Sequence, residues 1–344
     1  LLRVLEKTTP ADLFEAKKMT TAGKIIATYI DAPNEVYVKA TVKSGDDEVT
    51  TIIIGDHANI ESVERNGEII FSQKTNEKQE KQETEIKLGN YFIKDIIKEV
   101  QKLEMEDLEF LKEGIQMNRA ISQYGWENSP CLGIGFGLNK LMQKGRMCNN
   151  IINRIRMAVA AGSDARMGGV NMPVMTSAGS GNQGIIVFLS VDLFAEHLKI
   201  DELTKLRALA LAHIINGYVK EFMLKLSPIC GATVSAGLGV SCAITWLLGG
   251  THEQIVGAMN GMLASLTGMM CDGAKGSCAY KLLTAAGEAV TQAYLALEGV
   301  YIRDQQGVIE TTLENSIQNI GKIGQEGMCN VNNVMLEIIA NRMN

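Results

Sequence analysis

One short stretch, GMMCDGAKGSCAYKL (residues 268–282), places two cysteines, an aspartate and a lysine among small residues. A segment that only fills a core does not normally carry Asp272 and Lys275 between Cys271 and Cys278, because unpaired buried charges are costly. The stretch is therefore either a surface turn or a site.

The cysteines of this stretch, with one more upstream, are candidate metal ligands. Cys230 and Cys271 stand beside turn-forming residues at predicted helix ends, where a metal can reach the sulfur. Cys278 ranks behind them, because in one continuous helix its Cα would lie about 10 Å from that of Cys271. The two could share a metal if Gly273 and Gly276 make the segment a loop. A single cysteine is more often a small buried hydrophobic residue than a ligand.

The glycine-rich run TSAGSGNQG (residues 176–184) is a second candidate site. Successive backbone N–H groups at a helix N-terminus form a concave nest that suits a carboxylate or phosphate. The run lacks the Gly-Lys-Ser/Thr ending of a nucleotide phosphate loop, and a flexible turn is the alternative. The predicted ligand-binding residues are Ser180, Gly181, Asn182 and Gln183.

Two charged residues precede this run in a segment of otherwise small residues, Asp164 and Arg166. A guanidinium beside the nest would bind a carboxylate, so Arg166 is a candidate substrate contact. An Asp–Arg pair that orients a loop is the alternative.

Composition narrows the class of partner. The 344 residues carry a net charge of -6, so nucleic acid is not expected and a small molecule is the better-supported ligand. Seven cysteines without disulfide-type spacing, and no signal-peptide pattern, favour a reducing, cytoplasmic location. The uncharged run 226–251 is long enough to cross a membrane, but its Gly, Ser and Thr content favours a buried helix, so no membrane is expected. A homodimer is left open.

Hydrophobic periodicity predicts an α+β fold. A helix is expected with Thr9 as its N-cap and Pro10 in its first position. Alternating segments separated by Gly-Asp and Asn-Gly signals predict a small antiparallel sheet over Asn34–Lys74. Residues 1–74 thus form a helix-plus-antiparallel-sheet domain, and 75–89 form a charged linker or hairpin tip.

Residues 90–344 are predicted to form a larger, mostly α-helical domain. Helical periodicity covers 90–126, 201–226 and 251–270, and Thr251 and Gln254 have the spacing of a capping box. This domain contains all the candidate site residues.

At these residues the chain resembles the L-cysteine desulfidase family, which is related to the alpha-type iron–sulfur L-serine dehydratases. The matching segments are SDARMGGVNMPVMTSAGSGNQGI, LSPICGATVSAG, ITWLLGGT and GMMCDGAKGSCAYKL, and the similarity of layout covers the whole chain. The resemblance implies a [4Fe-4S] cluster held by three cysteines, with one iron open to an amino-acid substrate.

The resemblance assigns two of the three ligands, Cys230 and Cys271. In the family the third lies in a Gly-Cys-Thr-Glu-Pro motif, and this chain has no cysteine before Cys131. A ligand preceding Leu1 is one alternative, and Cys278 as a substitute is the other.

The implied reaction is a β-elimination in which L-cysteine gives sulfide, pyruvate and ammonia. The open iron would take the departing thiolate while a base removes the α-proton. The nest, with Arg166, is the implied carboxylate site. Lys275 is the candidate base if burial favours its neutral form, with Asp272 beside it; a structural ion pair between these two is the alternative.

Two other functions stay open. L-serine dehydration would use the same kind of site, with a hydroxyl in place of the thiol. A non-catalytic relative would retain the fold and bind a small molecule without reaction. Sulfide release from cysteine, compared with pyruvate formation from serine, distinguishes the two enzymes.

Overall fold

The computed structural model describes residues 7–28, 30, 36–55, 59–73, 87–223 and 227–340. The chain divides into two compact units, Leu1–Glu85 with Asn333–Asn344, and Ile86–Asn332. The first unit contains a small sheet and the second is built from helices, which confirms the predicted α+β class. The second unit contains every candidate site residue.

Helix α1 (Pro10–Thr21) begins where the sequence predicts. Thr9 is the N-cap, its side chain accepts a hydrogen bond from Asp12 N–H, and the Asp12 carboxylate accepts one from Thr9 N–H. This capping box satisfies two backbone donors that the helix leaves without partners.

The sheet follows as an antiparallel meander in the order β1-β2-β3-β4. Asn66 and Gly67 connect the last two strands with φ of 51° and 87°, the backbone that a tight hairpin turn requires. The predicted sheet over Asn34–Lys74 is confirmed for its described residues. The strands are β1 (Tyr37–Ser44), β2 (Asp47–Ile54), β3 (Ile60–Arg65) and β4 (Glu68–Ser72).

Most of the predicted linker, residues 75–86, lies outside the described residues. At its end, Leu88–Asn90 forms a turn of 3-10 helix. The backbone N–H groups of Leu88 and Gly89 each donate to the Glu221 carboxylate, both at 2.7 Å. The end of this segment is therefore fixed to a helix of the second unit.

Helices make up the described part of the second unit, as predicted. They are α2 (Ile93–Val100), α3 (Met105–Leu108), α4 (Leu111–Asn128), α5 (Ile134–Gln143), α6 (Ile151–Met167), α7 (Gly181–Leu198), α8 (Glu202–Phe222), α9 (Ser235–Leu247), α10 (His252–Leu266), α11 (Cys278–Leu297) and α12 (Leu313–Lys322). Helix α13 (Val331–Ala340) follows later in the chain.

Two long helical patterns are shorter in the structure than in the sequence. The pattern over 90–126 is broken into α2, α3 and α4. Glu104 caps α3, and Arg207 Nε donates to the Leu103 carbonyl at 2.8 Å, which stabilises the break. Within the run 226–251, only α9 is an α-helix. The segment before α9 instead pairs at Ile229 with Met270, as two short strands do.

Helix α9 is the buried helix that the sequence predicts. It packs against α7, α8, α10 and α11, and its residues from Ser235 to Thr245 are buried. Gly239 lets it approach α8, because a Cβ there would stand 2.3 Å from the Ala212 carbonyl oxygen. Among the described residues, no helix has the length and apolar character needed to cross a membrane.

Candidate active site

Two distant cysteines meet in a short strand-like pairing. Cys230 N–H donates to the Met269 carbonyl at 2.8 Å, and Cys271 N–H donates to the Pro228 carbonyl at 2.7 Å. These hydrogen bonds flank an antiparallel bridge between the residues at 229 and 270. The two cysteines therefore lie on paired segments, and their role as ligands of one metal site stays a prediction.

The bridge also sets the directions of the two side chains. Ile229 and Met270 face each other, and successive side chains alternate between faces of a strand. Cys230 and Cys271 therefore point to the same, opposite face, as diagonal neighbours.

An ammonium group, that of Lys281, lies beside this pairing. Burial raises the pKa of the Cys230 thiol, the Cys271 thiol acts in the same direction, and Lys281 opposes both. Lys281 Nζ also donates to the Met270 carbonyl at 2.8 Å. The two thiols and this ammonium thus share one site.

Asp272 lies between two ammonium groups. Lys275 Nζ is 2.6 Å from Asp272 Oδ1, and Lys281 pairs with the same oxygen. Burial raises the pKa of Asp272, but hydrogen bonds and charges from both lysines outweigh it and lower this pKa to about 2. The structure therefore contains the Lys275–Asp272 ion pair that the sequence left open as the alternative to a catalytic role of Lys275.

The donors of Lys275 are all engaged. Beyond Asp272 Oδ1, its Nζ contacts the Asp272 carbonyl at 3.0 Å and the Gly273 carbonyl at 3.3 Å. An ammonium has three N–H donors, and these three acceptors match them. The catalytic role of Lys275 stays a prediction.

The segment between α10 and α11 is a loop, which was the condition for Cys271 and Cys278 to share a metal. Gly273 has φ +88°, a backbone conformation that favours glycine. Cys278 is the first residue of α11, and its Sγ lies 3.6 Å from the Gly273 carbonyl oxygen. Within the described parts of the chain, no three His, Cys, Asp or Glu side chains are grouped as a metal site.

The glycine-rich run forms the predicted turn at a helix N-terminus. Ser177 and Ser180 exchange backbone hydrogen bonds of 3.1 and 2.9 Å, and α7 starts at Gly181. Ser180 caps the helix by accepting from Gln183 N–H. The N–H groups of Gly181 and Asn182, at the positive end of the helix dipole, have no acceptor among the described residues.

Arg166 lies beside this nest. Its Nη1 donates to Asn182 Oδ1 at 3.3 Å, and a Cβ at Gly181 would stand 2.3 Å from its Nε. Burial lowers the pKa of Arg166, while the Cys278 thiol acts in the opposite direction. The guanidinium thus contacts the nest and interacts electrostatically with Cys278, the first residue of α11.

The nest also contacts the turn of the first cysteine. A Cβ at Gly231, the residue after Cys230, would stand 2.8 Å from Gln183 Nε2. Gln183 is buried, and its Oε1 has no hydrogen-bond partner among the described residues. The two candidate sites are therefore parts of one site.

Asp164 does not pair with Arg166; it orients a loop by itself. Its fully buried carboxylate accepts from Leu132 N–H at 3.0 Å and from Gly133 N–H at 2.7 Å, at the start of α5. This loop contacts the cysteine loop, because a Cβ at Gly276 would stand 2.8 Å from Cys131 Sγ.

Sequence reasoning missed two parts of this site. Lys281 follows Cys278 by one helical turn, a spacing that puts both on one face of α11 and was visible in the sequence. A second group on α8 binds the nest: His213 Nδ1 lies 2.7 Å from Ser177 Oγ, and Asn216 Nδ2 donates to the same oxygen at 2.8 Å. No short-range spacing connects these residues to the run.

The thiol pair fits an iron–sulfur cluster in its donor chemistry. Cys230 and Cys271 present two sulfurs on one face. Burial raises the pKa of the Cys230 thiol overall, and the positive charge of Lys281 offsets part of that rise. The described chain thus offers two of the three ligands that the resemblance implies.

A cavity of about 680 Å³ lies among the starts of α2, α10 and α12. Among the described residues, its lining contains none of the cysteines and none of the nest.

The chain is similar to a known protein family over nearly its whole length. The sequence profile of the family described as serine dehydratase alpha chain matches residues 2–337. A UPF0597 protein of Clostridium botulinum strain Hall is 40% identical over 326 residues, which cover 95% of this chain and 75% of that protein. A UPF0597 protein of Clostridioides difficile strain 630 is 34% identical over 348 residues, which cover 100% and 80%. No solved structure matches the chain. The chain therefore belongs to the serine dehydratase alpha chain family.

Proposed function

We propose that this protein is an L-cysteine desulfidase, a carbon–sulfur lyase that converts L-cysteine into sulfide, pyruvate and ammonia. The observation that carries the proposal is the contact of Gln183 with Gly231, which joins the nest to the turn of Cys230. A nest for a carboxylate and a pair of thiols for a metal are the two parts that an amino-acid elimination of this type needs.

The nest binds the substrate carboxylate in this proposal. The N–H groups of Gly181 and Asn182 point from the start of α7, where the helix dipole favours an anion. Arg166 supplies a positive charge next to them, and Asn182 Oδ1 orients its guanidinium. The side chain of Gln183, the next residue of the nest, lies against Gly231.

Cys230 and Cys271 hold a [4Fe-4S] cluster in this proposal, and Cys278 stays the candidate third ligand within the described chain. When bound, such a cluster with one open iron supplies a Lewis acid for the departing thiolate. Lys281, held by Asp272 and the Met270 carbonyl, keeps a positive charge beside the thiols. The seven free cysteines fit the reducing cytoplasm proposed from the sequence.

L-serine dehydration is the second candidate, because the family that the chain belongs to is described as serine dehydratase alpha chain. The same nest would bind serine, and a hydroxyl would leave in place of the thiol. A non-catalytic binding protein is favoured by one observation alone: the described chain offers two cluster ligands, whereas the resemblance implies three.

The deciding experiment measures both reactions with the anaerobically reconstituted protein. We expect sulfide and pyruvate in equal amounts from L-cysteine, with a higher kcat/KM than pyruvate formation from L-serine. Preference for serine would assign the dehydratase, and no product from either amino acid would leave only the binding protein.

A further inference from the structure

His213 is a histidine that the proposed function does not yet use, and it lies directly under the nest. It stands on α8, and its Nδ1 is 2.7 Å from Ser177 Oγ. Ser177 is three positions before the helix cap Ser180, with which it exchanges two backbone hydrogen bonds. The ring is thus tied to the loop that holds the substrate carboxylate.

The other ring nitrogen has no partner. His213 Nε2 is out of contact with solvent and makes no hydrogen bond among the described residues. Buried polar atoms without partners are rare and concentrate where function requires them. Asn216 Oδ1 and Gln183 Oε1, also buried and without partners, lie on residues that contact the same loop and the Cys230 turn.

Ser177 Oγ can accept a hydrogen bond from Nδ1–H, and this tautomer is the one that a base at Nε2 requires. Asn216 Nδ2 donates to Ser177 Oγ at 2.8 Å and leaves the oxygen one further lone pair. When His213 Nδ1–H donates to that lone pair, the lone pair of the ring remains on Nε2. The arrangement of an acceptor behind Nδ1 and a free Nε2 is the one that general-base histidines use.

Resting on the proposed function, we propose that His213 Nε2 is the general base that removes the α-proton of the substrate, and that Ser177 and Asn216 position it. The proton passes from Cα to Nε2. The electron pair of the Cα–H bond forms the Cα=Cβ bond, and the Cβ–S bond breaks with its electron pair leaving on sulfur. Burial lowers the pKa of His213 to about 4, so the ring is neutral at working pH.

This assignment gives His213 the role that the sequence had suggested for Lys275. Three oxygen acceptors surround the Lys275 ammonium, and one of them belongs to the Asp272 carboxylate. His213 Nε2, in contrast, has no hydrogen-bond partner among the described residues. A proton acceptor needs a free lone pair, which a neutral His213 ring offers and the Lys275 ammonium does not.

The kinetic test compares three variants of the reconstituted protein with L-cysteine: His213→Ala, His213→Gln and Lys275→Ala. We expect both His213 variants to lose kcat by about 10²–10⁴-fold, the usual contribution of a general base. KM and cluster absorbance should stay near wild type, and added imidazole should restore part of the activity of His213→Ala. His252→Ala, at an exposed histidine, is the matched control.

Two kinetic outcomes would overturn the assignment. One is that a folded His213 variant retains kcat within about threefold of wild type, far below the loss expected for a base. The other is that only Lys275→Ala loses kcat. If wild-type protein forms product from neither cysteine nor serine, the proposed function itself fails, which is a different result.

A second measurement needs no activity. In ¹⁵N-histidine spectra of the cluster-free protein, the signal absent from His213→Gln identifies His213. We expect a neutral ring with the proton on Nδ1, and a loss of that single-tautomer signal in Ser177→Ala. A proton fixed on Nε2 would contradict the assignment, whatever the kinetics show.

Discussion

The side-chain amide of Gln183 lies against Gly231, so closely that a Cβ at Gly231 would stand 2.8 Å from Gln183 Nε2. Gln183 belongs to the nest at the start of α7, and Gly231 follows Cys230. One contact therefore connects the nest, the proposed carboxylate site, with the turn of Cys230. A substitution at Gln183 or Gly231 should therefore affect both parts of the proposed site.

Gly231→Ala tests this contact. The added methyl group meets the far end of a flexible side chain, so it should displace the Gln183 amide with little loss of folding stability. We expect KM for L-cysteine to rise about tenfold, the equivalent of about 1.4 kcal/mol, with an unchanged Tm. The control is Gly137→Ala, where no atom lies within 4 Å of the added group. An unchanged KM in Gly231→Ala would separate the two parts of the site.

Asn182 is expected to act by holding Arg166. Its Oδ1 accepts from Arg166 Nη1 at 3.3 Å and from Ser163 Oγ at 3.4 Å. Asn182→Ala should weaken substrate binding by about 1–3 kcal/mol, the cost of leaving a charged donor without its partner. Asn182→Asp should bind substrate more weakly still, although it pairs better with Arg166, because it repels a carboxylate. Calorimetric binding measurements check the order, and tighter binding by the Asp variant would refute a carboxylate site.

Asp164 is predicted to be a determinant of stability. Its buried carboxylate holds the N–H groups of Leu132 and Gly133, and hydrogen bonds to charged groups contribute about 1.5–3 kcal/mol. Asp164→Ala should lower the free energy of unfolding in urea by about 2–3 kcal/mol, with a smaller loss in Asp164→Asn. The exposed Asp304→Ala should leave it unchanged. Equal stability of all three variants would show that the loop needs no such anchor.

The His213 side chain should make the stability of the folded protein depend on pH. Burial lowers its pKa from 6.5 to about 4, and its hydrogen-bond and ring partners, Ser177 and Phe188, are uncharged. Between these two values the unfolded chain binds a proton that the folded protein refuses, so stability falls as the pH falls through this window. Across this pH window the free energy of unfolding, measured by urea titration, should fall by about 3 kcal/mol.

His213→Gln should flatten this part of the profile while the rest keeps its shape. A variant with the same slope as wild type between these pH values would show that the folded protein protonates His213 as readily as the unfolded chain does.

Local signals in the sequence predicted much of the fold. The capping boxes at Thr9 and Thr251 fix helix starts through contacts within four residues, and Asn66-Gly67 fixes a hairpin. The break at Glu104 was missed, because the Arg207 side chain that stabilises it comes from a helix far along the chain.

The sequence predicted those parts of the candidate site that residues adjacent in the chain form. The nest at Gly181 depends on its own backbone, and Cys271 stands beside turn residues that the sequence displays. His213 could not be assigned, because its contact with Ser177 depends on how α8 packs under the loop. Tertiary packing, which no local pattern encodes, supplied the rest.

Cys230 and Cys271 are the proposed ligands of one iron–sulfur cluster. The most direct measurement is the absorbance of the full protein after anaerobic reconstitution with iron and sulfide, for wild type, Cys230→Ala, Cys271→Ala and Cys278→Ala. Cys242→Ala is the control, because Cys242 is buried within α9 and is not part of the proposed site. Burial raises the pKa of its thiol to about 12. We predict a broad iron–sulfur absorbance that is lost in Cys230→Ala and in Cys271→Ala and retained in Cys242→Ala, while Cys278→Ala decides the third ligand. Equal absorbance in wild type, Cys230→Ala and Cys271→Ala, or none in wild type, would contradict the claim.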